Sequence, residues 1–164
     1  MARDLAGFAL PFVTRGTPSR LDGRGAAATN DMAPFLKEHT MPQTPPLAIE
    51  RYIATVDRAI ADEAVLEELV DIFAPNAVVQ LDDTPVRGSR AIRELYRDFI
   101  AIHVEAKHFW NATVLPDGRQ RAEWACAARM SDGSLVTVAG LEHATVGTDD
   151  RIVDLRNELT RPPA

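Results

Sequence analysis

The stretch "FAPNAVVQLDDTPVRGSRAIRELY", residues 73–96, decides the fold. Pro75 stops the helix that precedes it, because proline lacks an N–H and clashes with the turn before it. "NAVVQL" then reads as a short strand and "TPVRGS" as a turn. Ser89 caps a further helix that carries Ile92, Leu95, Tyr96, Phe99 and Ile102 along one side.

Working backward, "EAVLEELVDIFA" is a second helix with Asp62 as its cap, and "LAIERYIATVDRAIA" is a first helix with Ile49, Ile53, Val56 and Ile60 on one stripe. Working forward, the pattern changes to long strands over 107–115, 119–130, 134–146 and 151–160, separated by "PDG", "SDG" and "GTDDR" turns. Three helices followed by a run of antiparallel strands predict an α+β fold, with the helices packed on one face of a curved, mainly antiparallel sheet. Residues 1–45 lack a sustained period and end in the proline-rich "TMPQTPP". They read as an N-terminal extension, an arm or lid, ahead of a domain over 46–164.

The bulk composition excludes several functions. The chain has 164 residues, 46% of them hydrophobic and 26% charged, which suits one globular domain with a real core. A net charge of −6 argues against nucleic acid or an anionic membrane as partner. Cys126 is the single cysteine, so no internal disulfide and no multi-cysteine metal site is available. No apolar run reaches the roughly 20 residues of a membrane span, and "LAGFALPFV" does not read as a secretory signal, so a cytoplasmic chain is expected. Nothing in the sequence implies a nucleotide, flavin or metal: there is no phosphate loop or nucleophile elbow, and His103 and His108 make a poor metal pair.

The element order resembles the nuclear transport factor 2-like superfamily, a cone-shaped barrel around an apolar pocket. "FAPNAVV…RGSRAIRELY", "LEHATV" and "DDRIVDLR" are similar to segments of ketosteroid isomerase and of SnoaL-like polyketide cyclases, and "KHF" resembles the histidine strand of scytalone dehydratase. The resemblance covers about residues 46–161. It implies a cofactor-independent cyclase, dehydratase or isomerase acting on a small apolar metabolite with a carbonyl or hydroxyl. Its rivals are a non-catalytic ligand-binding or assembly protein, and an epoxide hydrolase built on an Asp–Arg–Asp arrangement.

The same resemblance assigns candidate residues. Tyr52 matches an oxyanion-hole tyrosine and Tyr96 the tyrosine that supports it. Asp57 matches a helix aspartate that orients a strand histidine, here His108. At about 100° per residue, Tyr52 and Asp57 fall on opposite edges of the first helix's apolar stripe. His108 can exchange protons near neutral pH. Glu142 matches a carboxyl kept protonated in an apolar pocket. Arg129, Asn157, Trp110 and Glu123 are candidate substrate contacts. The general-base aspartate of ketosteroid isomerase falls on Leu81, with Asp82 next along and facing the other way.

One register choice governs these assignments. If "SDGS" is a two-residue hairpin, Arg129 faces Val136 and Glu123 stands opposite Glu142. The Glu142 face then lacks Trp124, Cys126, Ala128 and Met130, which patterning alone would bury. The resemblance favours Glu142 in the pocket. The Trp124 face is then expected to seat a second copy of the chain in a homodimer.

Overall fold

The computed structural model describes residues 45–160. Helix α1 (Ala48–Ala61) buries Ile49, Ile53, Val56 and Ile60, the stripe read from the sequence. The side-chain carbonyl of Gln120, itself buried, accepts from the Ile49 N–H at 2.9 Å and ties the start of α1 to the sheet. Asp62 accepts from the Ala64 N–H at 3.0 Å and opens a 3-10 turn (Glu63–Val65) that leads into α2 (Leu66–Asp71).

The second helix ends earlier than Pro75 requires. Phe73 already belongs to strand β1 (Phe73–Gln80), where it pairs with Ile152, and Ile152 N–H donates to the Ile72 carbonyl. Pro75 sits where β1 is out of register with its neighbour, a place that tolerates a missing donor. Strand β2 (Val86–Arg87) and helix α3 (Ser89–Ala101) follow, with Gly88 at φ +85° as the residue ahead of the helix. The remaining strands are β3 (His103–Val114), β4 (Gln120–Met130), β5 (Leu135–Val146) and β6 (Ile152–Thr160).

The sheet order is β2-β1-β6-β5-β4-β3. Only β1 and β6 run parallel; every other pair is antiparallel. Among the described residues the sheet curls around the helices without closing, so β3 is an edge strand. Helix α1 lies mainly along β3. The main core, with Tyr96, Phe73, Ile49, Leu69 and Ile92 fully buried, fills the space between helices and sheet. A second apolar cluster, Trp124, Cys126 and Ala128 with half-buried Met130, Val136 and Val138, continues along the inner wall.

The hairpin register differs from the two-residue reading. Met130 N–H donates to the Ser134 carbonyl and Gly133 N–H to the Met130 carbonyl, so the β4–β5 loop holds three residues, 131–133, with Gly133 at φ +85°. The loops over 116–118 and 148–150 close in the same way, with Gly118 and Asp150 at positive φ. Arg129 therefore pairs with Leu135, Glu123 with Leu141 and Ala122 with Glu142.

A one-residue slip turns every side chain of one strand to the other face. Glu142 and the Trp124 row thus share the inner face, and patterning and resemblance no longer conflict. Glu123 and Arg129 are corrected to the outer, exposed face, and Arg129 lies 3.9 Å from Glu105. The Trp124 row is inside and offers nothing to a partner subunit. The outer face carries instead Phe109, 68% exposed, and Leu135, 72% exposed, around Ala125, Ala127 and Ala139.

Among the described residues no helix is long and apolar enough to cross a membrane. The expected extension, up to residue 44, lies outside the described residues.

Gly140 leaves no room for a side chain. A Cβ there would lie 2.7 Å from the Glu158 carbonyl oxygen and 2.8 Å from the Trp124 ring. Gly140→Ala is expected to cost about 1–3 kcal/mol in urea denaturation through overpacking. Gly133→Ala, which meets nothing within 4 Å, is expected to cost only about 1–2 kcal/mol for its positive φ.

Candidate active site

Asp57 projects from α1 toward the β3 edge of the sheet. Its Oδ2 accepts from the His108 backbone N–H at 3.0 Å, and its Oδ1 lies 2.5 Å from the ring Nδ1. Because β3 is the last strand, that backbone N–H points off the sheet, and α1 supplies the missing acceptor. Both side chains are 13% exposed. The grip sets the ring orientation and leaves the other ring nitrogen free of Asp57.

Burial alone would lower the proton affinity of His108. The Asp57 hydrogen bond and the Cys126 sulfur, at the cross-strand position, outweigh it and raise the ring from 6.5 to about 9. His108 is therefore an imidazolium at neutral pH. Its ring centroid lies 5.5 Å from that of Trp124.

A second polar chain runs through the core. Tyr96 hydroxyl donates to the Tyr52 hydroxyl at 3.0 Å, and Tyr52 donates to Glu142 Oε1 at 3.3 Å. Tyr52, Tyr96 and Glu142 are all buried. Tyr52 and Tyr96 pack edge-on and share contacts with Phe73, which fixes the hydroxyls' directions. Burial raises the Glu142 carboxyl to about 7, against the opposing pulls of the His108 charge and the Tyr52 hydroxyl. Burial, followed by the Glu142 charge for Tyr52, holds both tyrosines well above their ordinary range, so both remain neutral donors.

The site thus joins α1 (Tyr52, Asp57), α3 (Tyr96), β3 (His108), β4 (Trp124, Cys126) and β5 (Glu142). Asn157 stands opposite Glu142 on β6, with its amide nitrogen 3.4 Å from the Leu81 carbonyl. Trp110 is half-buried opposite Trp124, on the same inner face. Leu81 packs on the core, while Asp82 is exposed and accepts from the Thr84 N–H. Glu123 and Arg129 lie outside the cone, as described above. Trp124 and Cys126 were missed as site residues. The signal that could have found them was "SDGS", because glycine in third place suits a three-residue loop ending in the left-handed region.

A curled sheet around a partly buried histidine–aspartate pair and a buried carboxyl defines an α+β cone of the nuclear transport factor 2-like class. The family model of the SnoaL-like domain matches residues 49–155, and the chain belongs to that family. No curated protein matches it. Among solved structures, an NTF2-like protein of unknown function from Exiguobacterium sp. 255-15 is similar at 23% identity and a TM-score of 0.64, over 70% of this chain and 99% of that one. The epoxide hydrolase/cyclase-like enzyme SalBIII, of pyran ring formation in the polyether salinomycin, is similar at 16% identity and a TM-score of 0.56, over 68% and 89%. At these identities the likeness is one of fold.

The two shifted groups make stability depend on pH in one direction. His108 binds its proton more tightly folded than unfolded, so its contribution is complete below about 6.5 and is lost as pH rises through about 9. Glu142 is likewise raised, from 4.5 to about 7, so the folded state loses stability as pH rises across that interval. Stability should fall between pH 5 and pH 9, by at most about 3 kcal/mol for each group. Urea denaturation at several pH values checks this: Glu142→Gln should flatten the lower limb, and Asp57→Asn the upper one.

Proposed function

We propose that this protein is a cofactor-independent acid–base enzyme that cyclises, dehydrates or isomerises a small, largely apolar metabolite bearing a carbonyl or hydroxyl. One observation carries the reading: the Asp57–His108 pair and the Tyr96–Tyr52–Glu142 chain converge on one inner sheet face from opposite sides. The family membership supports it, and so does the likeness to an epoxide hydrolase/cyclase-like enzyme.

In this mechanism His108, cationic at neutral pH, donates its proton to the substrate oxygen that gains charge or leaves. Asp57 holds the ring and stabilises the cation. Glu142, balanced near neutrality, takes a proton from the substrate's carbon skeleton or returns one. Tyr52, held by Tyr96, donates to whichever oxygen carries the charge, Glu142 at rest or the substrate in reaction. Trp110 and Asn157 line the ligand. An epoxide-hydrolase arrangement would need an arginine among the acids, and Arg129 is on the outer face. A second reading, a non-catalytic ligand binder on the same fold, is favoured by Trp124, whose indole occupies the space above Gly140.

Proton exchange discriminates the two. A panel of enolisable cyclic ketones in D2O, followed by proton NMR, should lose α-protons faster with the protein present. His108→Ala and Glu142→Gln should each slow that exchange by about 100-fold or more, and Asp57→Asn by a similar order. Exchange that is unchanged in all three variants would sink the enzyme reading in favour of the binder.

The same proposal includes a homodimer through the outer sheet face. Arg121 and Arg156 flank His143 in one cross-strand row, and Glu123 and Glu158 flank Leu141 two residues further along β4 and β6. A two-fold axis can set such rows of opposite charge against each other around Phe109. Light scattering should give twice the chain mass for the wild type and the single mass for Phe109→Glu.

A further inference from the structure

Among the described residues, two buried polar atoms on the inner face have no hydrogen-bond partner: the Trp124 indole Nε1 and the Asn157 side-chain Oδ1. Their side chains stand on the inner face to either side of β5. Trp124 pairs with Gly140 and Asn157 with Glu142, and Gly140 and Glu142 are two residues apart on the same face of β5. Gly140 is what brings the indole across. Its missing side chain leaves room for the five-six ring junction of Trp124 next to β5, and Nε1 is bonded to that junction. Trp124 is 8% exposed. A buried polar atom left unpaired loses its hydration with no return, and here a donor and an acceptor are both left so, beside the catalytic pair.

We infer that Trp124 and Asn157 form a subsite for a hydroxyl group of the substrate. This rests on the pocket assigned under the proposed function and narrows its substrate class. The Asn157 amide nitrogen is already engaged by the Leu81 carbonyl, which can only accept, so the free atom of Asn157 is its oxygen. The subsite therefore offers one donor, the indole N–H, and one acceptor, the amide oxygen. A hydroxyl is the smallest group that accepts one hydrogen bond and donates another. A ketone answers the indole alone. An ammonium answers the amide alone. A carboxylate would bring its charge against the amide oxygen and toward Glu142, the residue opposite Asn157. The substrate is thus an alcohol or phenol, and its hydroxyl is held two residues from Glu142 and beside the His108 ring.

Matched probes test this by binding, without turnover: trans-2-decalol, trans-2-decalone and decalin, titrated while the Trp124 indole N–H resonance is followed by nitrogen-15 NMR. Trp110→Phe assigns that resonance. The wild type should bind the alcohol about 10-fold more tightly than the ketone and both more tightly than decalin. Asn157→Leu should reduce the alcohol-to-ketone ratio to below about 2, while Trp124→Phe should weaken the ketone to the level of decalin and leave the alcohol only the part of its advantage that Asn157 supplies. Equal binding of alcohol and ketone by the wild type overturns the subsite, as does a ratio that Asn157→Leu leaves unchanged, or an indole resonance that no probe moves. The wild-type comparison decides the matter even if a variant fails to fold. An alcohol preference that persists where ketone proton exchange is absent leaves the subsite standing and sinks the enzyme reading; exchange without the preference does the reverse.

Discussion

The grip of Asp57 on His108 is the contact on which the rest of the structure depends. One carboxylate takes both the backbone N–H and the ring nitrogen of a residue on the edge strand. The backbone bond closes a gap that every sheet edge has, a row of N–H groups with no neighbouring strand. The ring bond sets the position and charge of an imidazole. The same interaction that docks α1 against the curled sheet therefore also holds the imidazole in its charged form.

The interior is divided between hydrophobic packing and two opposed titratable centres. On one side a carboxylate raises a histidine. On the other, burial raises a carboxyl that two tyrosines support. Each shift follows from its surroundings: opposite charge favours the imidazolium, and low polarity disfavours the carboxylate. Their mutual attraction keeps Glu142 from rising further. The result is a cation and a half-titrated acid on one inner sheet face at neutral pH, a state that unfolded chain would not hold.

Much of this was legible in the residues. The stripe of α1 was read correctly, and so were the Asp62 cap, the three helices, the four long strands and the placing of Tyr52, Asp57 and Tyr96 on helices, because these depend on local spacing and on side chains within a turn of one another; the short strand at Val86–Arg87, read as part of a turn, was not, because only its pairing with β1 makes it a strand. The pairing of Asp57 with His108 followed from family likeness. The hairpin register was not read correctly. Two-residue and three-residue loops both suit "SDGS", yet they differ in which strand face turns inward. That choice sent Glu123 and Arg129 to the wrong side and hid Trp124 and Cys126.

By itself the sequence determined which segments are helix and strand, which residues carry apolar stripes, and the overall acidic balance, all properties of neighbours along the chain. Only the tertiary structure decided which side chains meet. The left-handed turn at Gly133 set the strand register, and the edge position of β3 let α1 reach His108. The gap above Gly140 drew Trp124 across to β5. Each of these joins residues far apart in sequence, where a shift of one position reverses inside and outside, and composition and periodicity carry no record of that shift.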